Sequence, residues 1–131
     1  MSSPAVDLAG HLVTEGEGTL GGSEAWSINV SREPATPDST VTLYDTGGFQ
    51  PDPDCGLEEP SVQVRVRSNS YLVAFAKMES VKNSIIGPNS LTLGGHKYLG
   101  LRGDGDVTSL GYDENDRVIL VFNLIMMREA A

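Results

Sequence analysis

The chain holds one cysteine and two histidines among 131 residues, and its nine lysines and arginines face eighteen aspartates and glutamates. Each shortage excludes something. A lone thiol, Cys55, rules out an intrachain disulfide framework. It follows Asp52-Pro53-Asp54 in an acidic loop, where neighbouring carboxylates disfavour the thiolate, so it reads as incidental. His11 and His96 lie far apart, and neither has a second histidine or a cysteine at ligand spacing, so both read as surface or packed side chains. A protein that binds duplex DNA needs clustered cations to displace counterions, and a formal charge of −9 is the opposite balance. That acidity fits plain solubility, or a surface that repels nucleic acid. The longest apolar runs, residues 118–122 and 124–127 on either side of Asn123, fall well short of a membrane span. The opening MSSPAVDLAGHL lacks the basic segment and apolar stretch of a secretory signal, so the expectation is a product made, and used or assembled, in a cytoplasm.

What is present describes a folded domain. Apolar residues make up 39% of the chain and charged ones 21%, and 131 residues suit one domain, residues 1–131. The sharpest pattern is residues 60–86. Val62, Val64 and Val66 alternate with Gln63, Arg65 and Arg67, the period of a strand with one apolar and one polar face. Pro60 stands just ahead, where a missing N–H costs the ladder nothing. Ser68, Asn69 and Ser70 break the alternation and offer a helix cap. From Tyr71 the period is helical: Tyr71, Ala74, Phe75, Met78, Val81 and Ile85 fall near one face, with Lys82 at its margin. Gly87-Pro88 stops this helix. The valines and Phe75 are expected to meet as the nucleus of the core.

Around that nucleus, a helix is expected over residues 4–15, with Pro4 in its first turn and glycines 16, 18, 21 and 22 ending it. Strands follow at residues 25–31 and 40–45, joined by a proline-rich connection, then an extended loop over residues 47–59. The strand at residues 61–67 leads into the helix at 70–86, and further strands cover residues 91–102, 106–112 and 117–127. The last two are joined by the acidic turn Asp113-Glu114-Asn115-Asp116. This order predicts an α+β fold, a mainly antiparallel β-sheet with two α-helices packed on one face.

The last strand raises a question of assembly. Val118-Ile119-Leu120-Val121-Phe122 is apolar at every position, so both of its faces need cover. Two helices cover one face, and the expectation is that another subunit meets the other, with Phe122 and Leu124 among the contact residues. The competing reading is a buried central strand shielded by the chain's own loops.

Motifs for chemistry are absent. Asp104-x-Asp106 begins like a calcium loop, but Ser109 replaces the required glycine and Asn115 stands where the bidentate glutamate belongs. There is no nucleophile elbow, phosphate-binding glycine pattern or zinc-protease motif, so no enzyme and no cofactor are expected. Gln63, Arg65 and Arg67 form the one ordered polar row, open either to an anionic ligand or, more in keeping with a strand face, to solvent or a neighbouring subunit.

Several of these residues together resemble a known family. The run Leu43-Tyr44-Asp45-Thr46-Gly47-Gly48, then Pro51, then Pro60-Ser61-Val62-Gln63-Val64-Arg65-Val66-Arg67, resembles the tail terminator proteins of long-tailed bacteriophages. Trp26-Ser27-Ile28 with Pro34 and Pro37 is similar to the upstream strand and loop of that family. Gly111-Tyr112-Asp113-Glu114-Asn115-Asp116-Arg117, running into Phe122-Asn123-Leu124, is similar to its closing hairpin, although Leu124 stands where many relatives carry an aromatic. The resemblance implies a virion protein, made in the host cytoplasm, that forms a hexameric ring at the head-proximal end of the tail tube. Its partners would be its own copies, the tail-tube protein and a head-completion or connector protein, with DNA passing through the channel without specific binding and no membrane involved. Contacts are expected on the loop at residues 47–59, at Gln50, Asp52 and Asp54, and on the glycine-rich loop at residues 16–22. The alternatives are another head–tail joining or tail-tube protein or, from a different class, a small anion- or carbohydrate-binding module using Gln63, Arg65 and Arg67.

Overall fold

The computed structural model describes residues 3–22, 26–52, 56–86 and 91–129, with the backbone alone over residues 49–52. In chain order the elements are α1 (Pro4–Thr14), β1 (Thr19–Leu20), β2 (Ser27–Val30), β3 (Thr40–Asp45), β4 (Phe49–Asp52), β5 (Leu57–Glu59), β6 (Ser61–Ser68), α2 (Tyr71–Ile85), β7 (Leu91–Leu93), β8 (His96–Gly103), β9 (Thr108–Tyr112) and β10 (Val118–Glu129). The fold is α+β, as expected. Both helices begin on serine caps: Ser3 Oγ accepts from the Val6 N–H and Ser70 Oγ from the Val73 N–H. The expected stop at Gly87-Pro88 lies outside the described residues, as does Cys55.

Strand β10 is the axis of the sheet. On one side it pairs antiparallel with β6 over Val118 to Ile125, then with β5 at Arg128 and Glu129. On the other side β9 and β8 lie end to end along it, and the residues between them, 104–107, loop out opposite Phe122 and Asn123. Beyond β6 come β3, antiparallel, then β2 and β1, both parallel to their neighbours. Strand β4 pairs with β5, and β7 with β8. The loop expected over residues 47–59 therefore contains a short hairpin, and the strand expected over 91–102 is divided at Gly94-Gly95.

The helices share one face. Val62, Val64 and Val66 from β6, and Val118, Leu120, Phe122, Leu124 and Met126 from β10, form one core with Ala5, Leu8 and Leu12 of α1 and Ala74, Met78, Val81 and Ile85 of α2. Helix α1 lies over β1 to β3, and α2 over β6 and β10. The expectation that Phe75 meets the valines is corrected. Tyr71 and Phe75 are 45% and 40% exposed and stack on each other, ring centroids 6.1 Å apart. The buried stripe runs through Ala74, Met78, Val81 and Ile85, and Phe75 lies one position round from it, a turn of about 100°.

The second correction concerns β10. Ile119, Val121 and Ile125, which point away from the helices, are only 9%, 6% and 7% exposed within the single chain. No second subunit is needed to cover the stripe, and Phe122 and Leu124 are interior residues, not contact residues. Part of the cover, at Ile119 and Val121, follows from topology. Because β2 and β3 are parallel, residues 31–39 must travel back along the sheet, and they cross the face opposite the helices. Arg65 and Arg67 rise from β6 into that crossover, in register with Val121 and Ile119, and their aliphatic stems flank the apolar row.

Burial separates the two phenylalanines, so truncating them should have unequal effects. Phe122→Ala is expected to cost about 3–5 kcal/mol of stability, and Phe75→Ala under about 1 kcal/mol. Urea unfolding followed by circular dichroism measures both, and equal losses would contradict the assignment of Phe75 to the surface.

Candidate functional site

The polar row of β6 is occupied within the chain. Arg67 Nη1 lies 3.0 Å from Glu33 Oε1, its Nη2 donates to the Pro37 carbonyl at 2.8 Å, and its Nε donates to that of Asp38 at 3.2 Å. Arg65 Nε stands 3.3 Å from Glu33 Oε2, an ion pair without good hydrogen-bond alignment. Gln63 Nε2 donates to Asn123 Oδ1 on β10 at 3.3 Å. From the far end, Arg117 Nη1 donates to the Ala35 carbonyl at 2.7 Å while its Nε holds Asp113 at 2.9 Å. These cations fasten the crossover to the sheet. Arg67 is buried, so of the expected contact row only Gln63 and Arg65 reach solvent, and an anionic ligand would have to displace Glu33.

A second clamp fixes the glycine-rich loop after α1. Glu17 is buried, and its carboxylate accepts from Lys77 Nζ at 2.8 Å, Ser80 Oγ at 2.7 Å and Ser84 Oγ at 2.9 Å, all on α2. Burial alone would raise its pKa, but the bonds from Lys77, Ser80 and Ser84, with the Lys77 charge, hold it below the ordinary carboxylate value.

A third network joins α1 to the sheet's curled end. Asp7 Oδ2 accepts from the Tyr98 hydroxyl at 2.5 Å and lies 3.0 Å from His96 Nδ1. Arg128 Nη1 reaches the Tyr98 hydroxyl at 3.3 Å, and its Nε donates to Glu58 Oε1 at 3.2 Å. Burial, then the bond to Asp7, pushes the Tyr98 phenol well above its usual range. Sequence reasoning missed this set, because Asp7 and His96 carry no shared spacing signal. His11, the other histidine, donates through Nε2 to the Ser84 carbonyl at 2.8 Å. Among the described residues, no cluster of His, Cys, Asp and Glu is placed to hold a metal ion, and no helix is long and apolar enough to cross a membrane.

The Asp-x-Gly-Gly segment has a structural purpose. Asp45 Oδ1 accepts the Ala5 N–H at 2.9 Å, tying β3 to the start of α1, and Thr46 Oγ1 meets Ser61 Oγ at 2.5 Å. Gly48, at φ +89°, passes so near the Glu59 carbonyl that a Cβ would stand 2.3 Å from it. Here the chain turns tightly against Pro60 to launch β4 and β5. Gln50 and Asp52 lie on β4, whose only pairing among the described residues is with β5; Asp54 lies outside the described residues.

Large apolar side chains left in solvent gather in two places. Val6, Val13 and Leu20 lie along α1 and β1, and Tyr71, Leu72, Val73 and Phe75 crown the first turns of α2, with Leu110 and Tyr112 on β9. Between α1 and β2, Val6 and Leu20 border a groove of about 420 Å³. These surfaces suit protein contact, and nothing among the described groups converges as a catalytic set.

A family model described as bacteriophage tail terminator protein matches residues 11–129. No curated protein matches the chain. Among solved structures, a chain from the virion of a native gene transfer agent particle has a similar fold, with a TM-score of 0.59 at 15% identity over 78% of each chain.

Two substitutions test the clamps. The folded-state pKa of Glu17 lies below its unfolded one, so its contribution is complete above the unfolded value and is lost as pH falls through the folded one. Glu17→Gln should cost about 2 kcal/mol at neutral pH, and its deficit relative to wild type should shrink as the pH drops below 4.5. Arg67→Met should cost about 3 kcal/mol, because Glu33 and the crossover carbonyls lose a buried partner. Denaturant unfolding across pH measures both.

Proposed function

Since the chain belongs to the bacteriophage tail terminator family, whose members are structural proteins of the phage tail, we propose that it closes into a hexameric ring on the head-proximal end of the tail tube, ends tube growth and joins tail to head. The observation that carries this reading is the extent of the family match, residues 11–129, which spans the last turn of α1, all of α2 and every strand. The virion is then where the protein works, after synthesis in the host cytoplasm. Its partners are its own copies, the tail-tube protein and a head-completion or connector protein.

The physical features support the role. A closed ring needs a heterologous contact whose rotation completes a circle. One ring face has to pair with the tube end, and the other has to refuse further tube subunits. The β4–β5 hairpin suits the tube or the connector, because it is launched past the end of the β6–β10 pairing and, among the described residues, β4 pairs on one edge only, which leaves the other for strand addition. The charge distribution suits a channel for DNA. At least six of the nine cations are paired with acids of their own chain, which leaves a surplus of acids to face a passing duplex and keep it from adhering.

Two experiments test this reading. Purified protein mixed with tail tubes should form rings that stop at the tube end in electron micrographs, whereas spontaneous growth into long tubes would identify a tube protein instead. Deleting residues 50–56 should leave a folded subunit by circular dichroism while free heads and unjoined tails accumulate. An undiminished phage yield would overturn the role given to the hairpin.

A further inference from the structure

We propose that neighbouring copies in the ring meet by inserting the aromatic start of α2 of one copy into the groove between α1 and β2 of the next. This inference rests on the ring reading and adds to it the surfaces that make the contact. A head-to-tail interface joins two different patches that must lie on different sides of the subunit. The sheet order puts β1 at one margin and, through β3, β6 and β10, β9 at the other. The exposed large apolar side chains divide in the same way. Val6, Val13 and Leu20 stand at the β1 margin, while Tyr71, Leu72, Val73 and Phe75 stand on α2, which overlies β6 and β10, with Leu110 and Tyr112 on β9 beyond.

The two patches also differ in shape. The first is concave, a groove of about 420 Å³ bordered by Val6, Ala9, Gly10, Leu20, Ile28 and Val30. A side chain added at Gly10 would meet nothing within 4 Å, so the groove is open where α1 lacks a side chain. The second is convex. Tyr71 and Phe75 stack with centroids 6.1 Å apart, and Leu72 beside them is 78% exposed.

Charge identifies the occupant as another copy. A chain of formal charge −9 repels its own kind. Copies can approach only where that charge is absent. The groove is lined without any ionisable side chain on its β1–β2 wall or at Val6, Ala9 and Gly10. The first turn of α2, where acids commonly favour the helix dipole, has none. Both patches are therefore neutral, apolar and of opposite curvature on one molecule, as a repeating contact requires.

The test uses the full chain with two exposed substitutions, Leu20→Glu in the groove and Leu72→Glu on the helix. Native mass spectrometry, with and without tail tubes, reads the assembly, and circular dichroism confirms each fold. Wild type should give rings, and each variant alone should lose at least ten-fold of its ring population. An equimolar mixture of the two should give heterodimers and stop there, because the intact helix of Leu20→Glu fits the intact groove of Leu72→Glu while the remaining patches are both spoiled. Gly10→Leu provides a second groove variant, filling the space from within on a helix that gains from the change, and should also abolish rings.

Rings that persist in any of these variants would overturn the inference and leave the ring reading standing. So would a mixture that stays monomeric, and homodimers of Leu20→Glu alone would show helix-to-helix contact instead. If wild type forms no ring even at tube ends, the ring reading fails and takes this contact with it.

Discussion

Strand β10 is apolar on both faces, and so it must be covered twice by a chain whose described residues form two helices, both on one side. The helices serve Val118, Leu120, Phe122, Leu124 and Met126, while Ile119 and Val121 lie beside Arg67 and Arg65, whose charged ends reach Glu33 of the crossover. A nine-residue connection with two prolines makes a poor lid on its own, since it has little apolar surface of its own. Cations rising from the sheet hold it in place. Arg67 bonds to two of its carbonyls and to Glu33, and Arg117 to a third, so the backbone polar groups of the crossover find partners as it passes over an apolar strand. The arginine stems then fill the space between.

The same economy recurs at the other joins. Glu17 gathers three α2 side chains, so the loop leaving α1 is fixed to the second helix and the two helices keep their places on the sheet. Asp45 reaches the first turn of α1. Asp7 connects α1 to Tyr98, and through Arg128 to Glu58 at the root of the β4–β5 hairpin. A network this short, running from a helix to the base of a projecting hairpin, fixes the direction in which that hairpin leaves the body. In a protein whose work is contact, such placement matters more than any single polar group.

Local periodicity carried what was legible in the sequence. The alternation of Val62, Val64 and Val66 placed β6, and Ser70 with Ala74, Met78, Val81 and Ile85 placed α2. Phe75 was misassigned because a helical stripe read from sequence is wide enough to admit residues one position round from the true seam. The unbroken apolar run of β10 was correctly read as needing cover on both faces. Its source was not legible: residues 31–39 are polar and proline-rich, and Glu33 lies too far from Arg67 in sequence for any spacing rule to join them. Strands β1, β4, β5 and β7 are two to four residues long, too short to show a period. Asp7, His96 and Tyr98 meet only because the β7–β8 end of the sheet curls towards α1.

A subunit that seals its own central strand folds without a neighbour, and this changes what assembly has to accomplish. Had β10 needed a second copy, folding and ring closure would have been one event, and rings would form wherever the protein was made. With the core complete, the surfaces left for assembly are modest apolar patches on a molecule of charge −9. Mutual repulsion opposes association in solution, while a tube end that binds several copies side by side raises their effective concentration and overcomes it. On the ring reading, this balance favours closure on the tube over closure in solution, so that polymerisation ends at a completed tail.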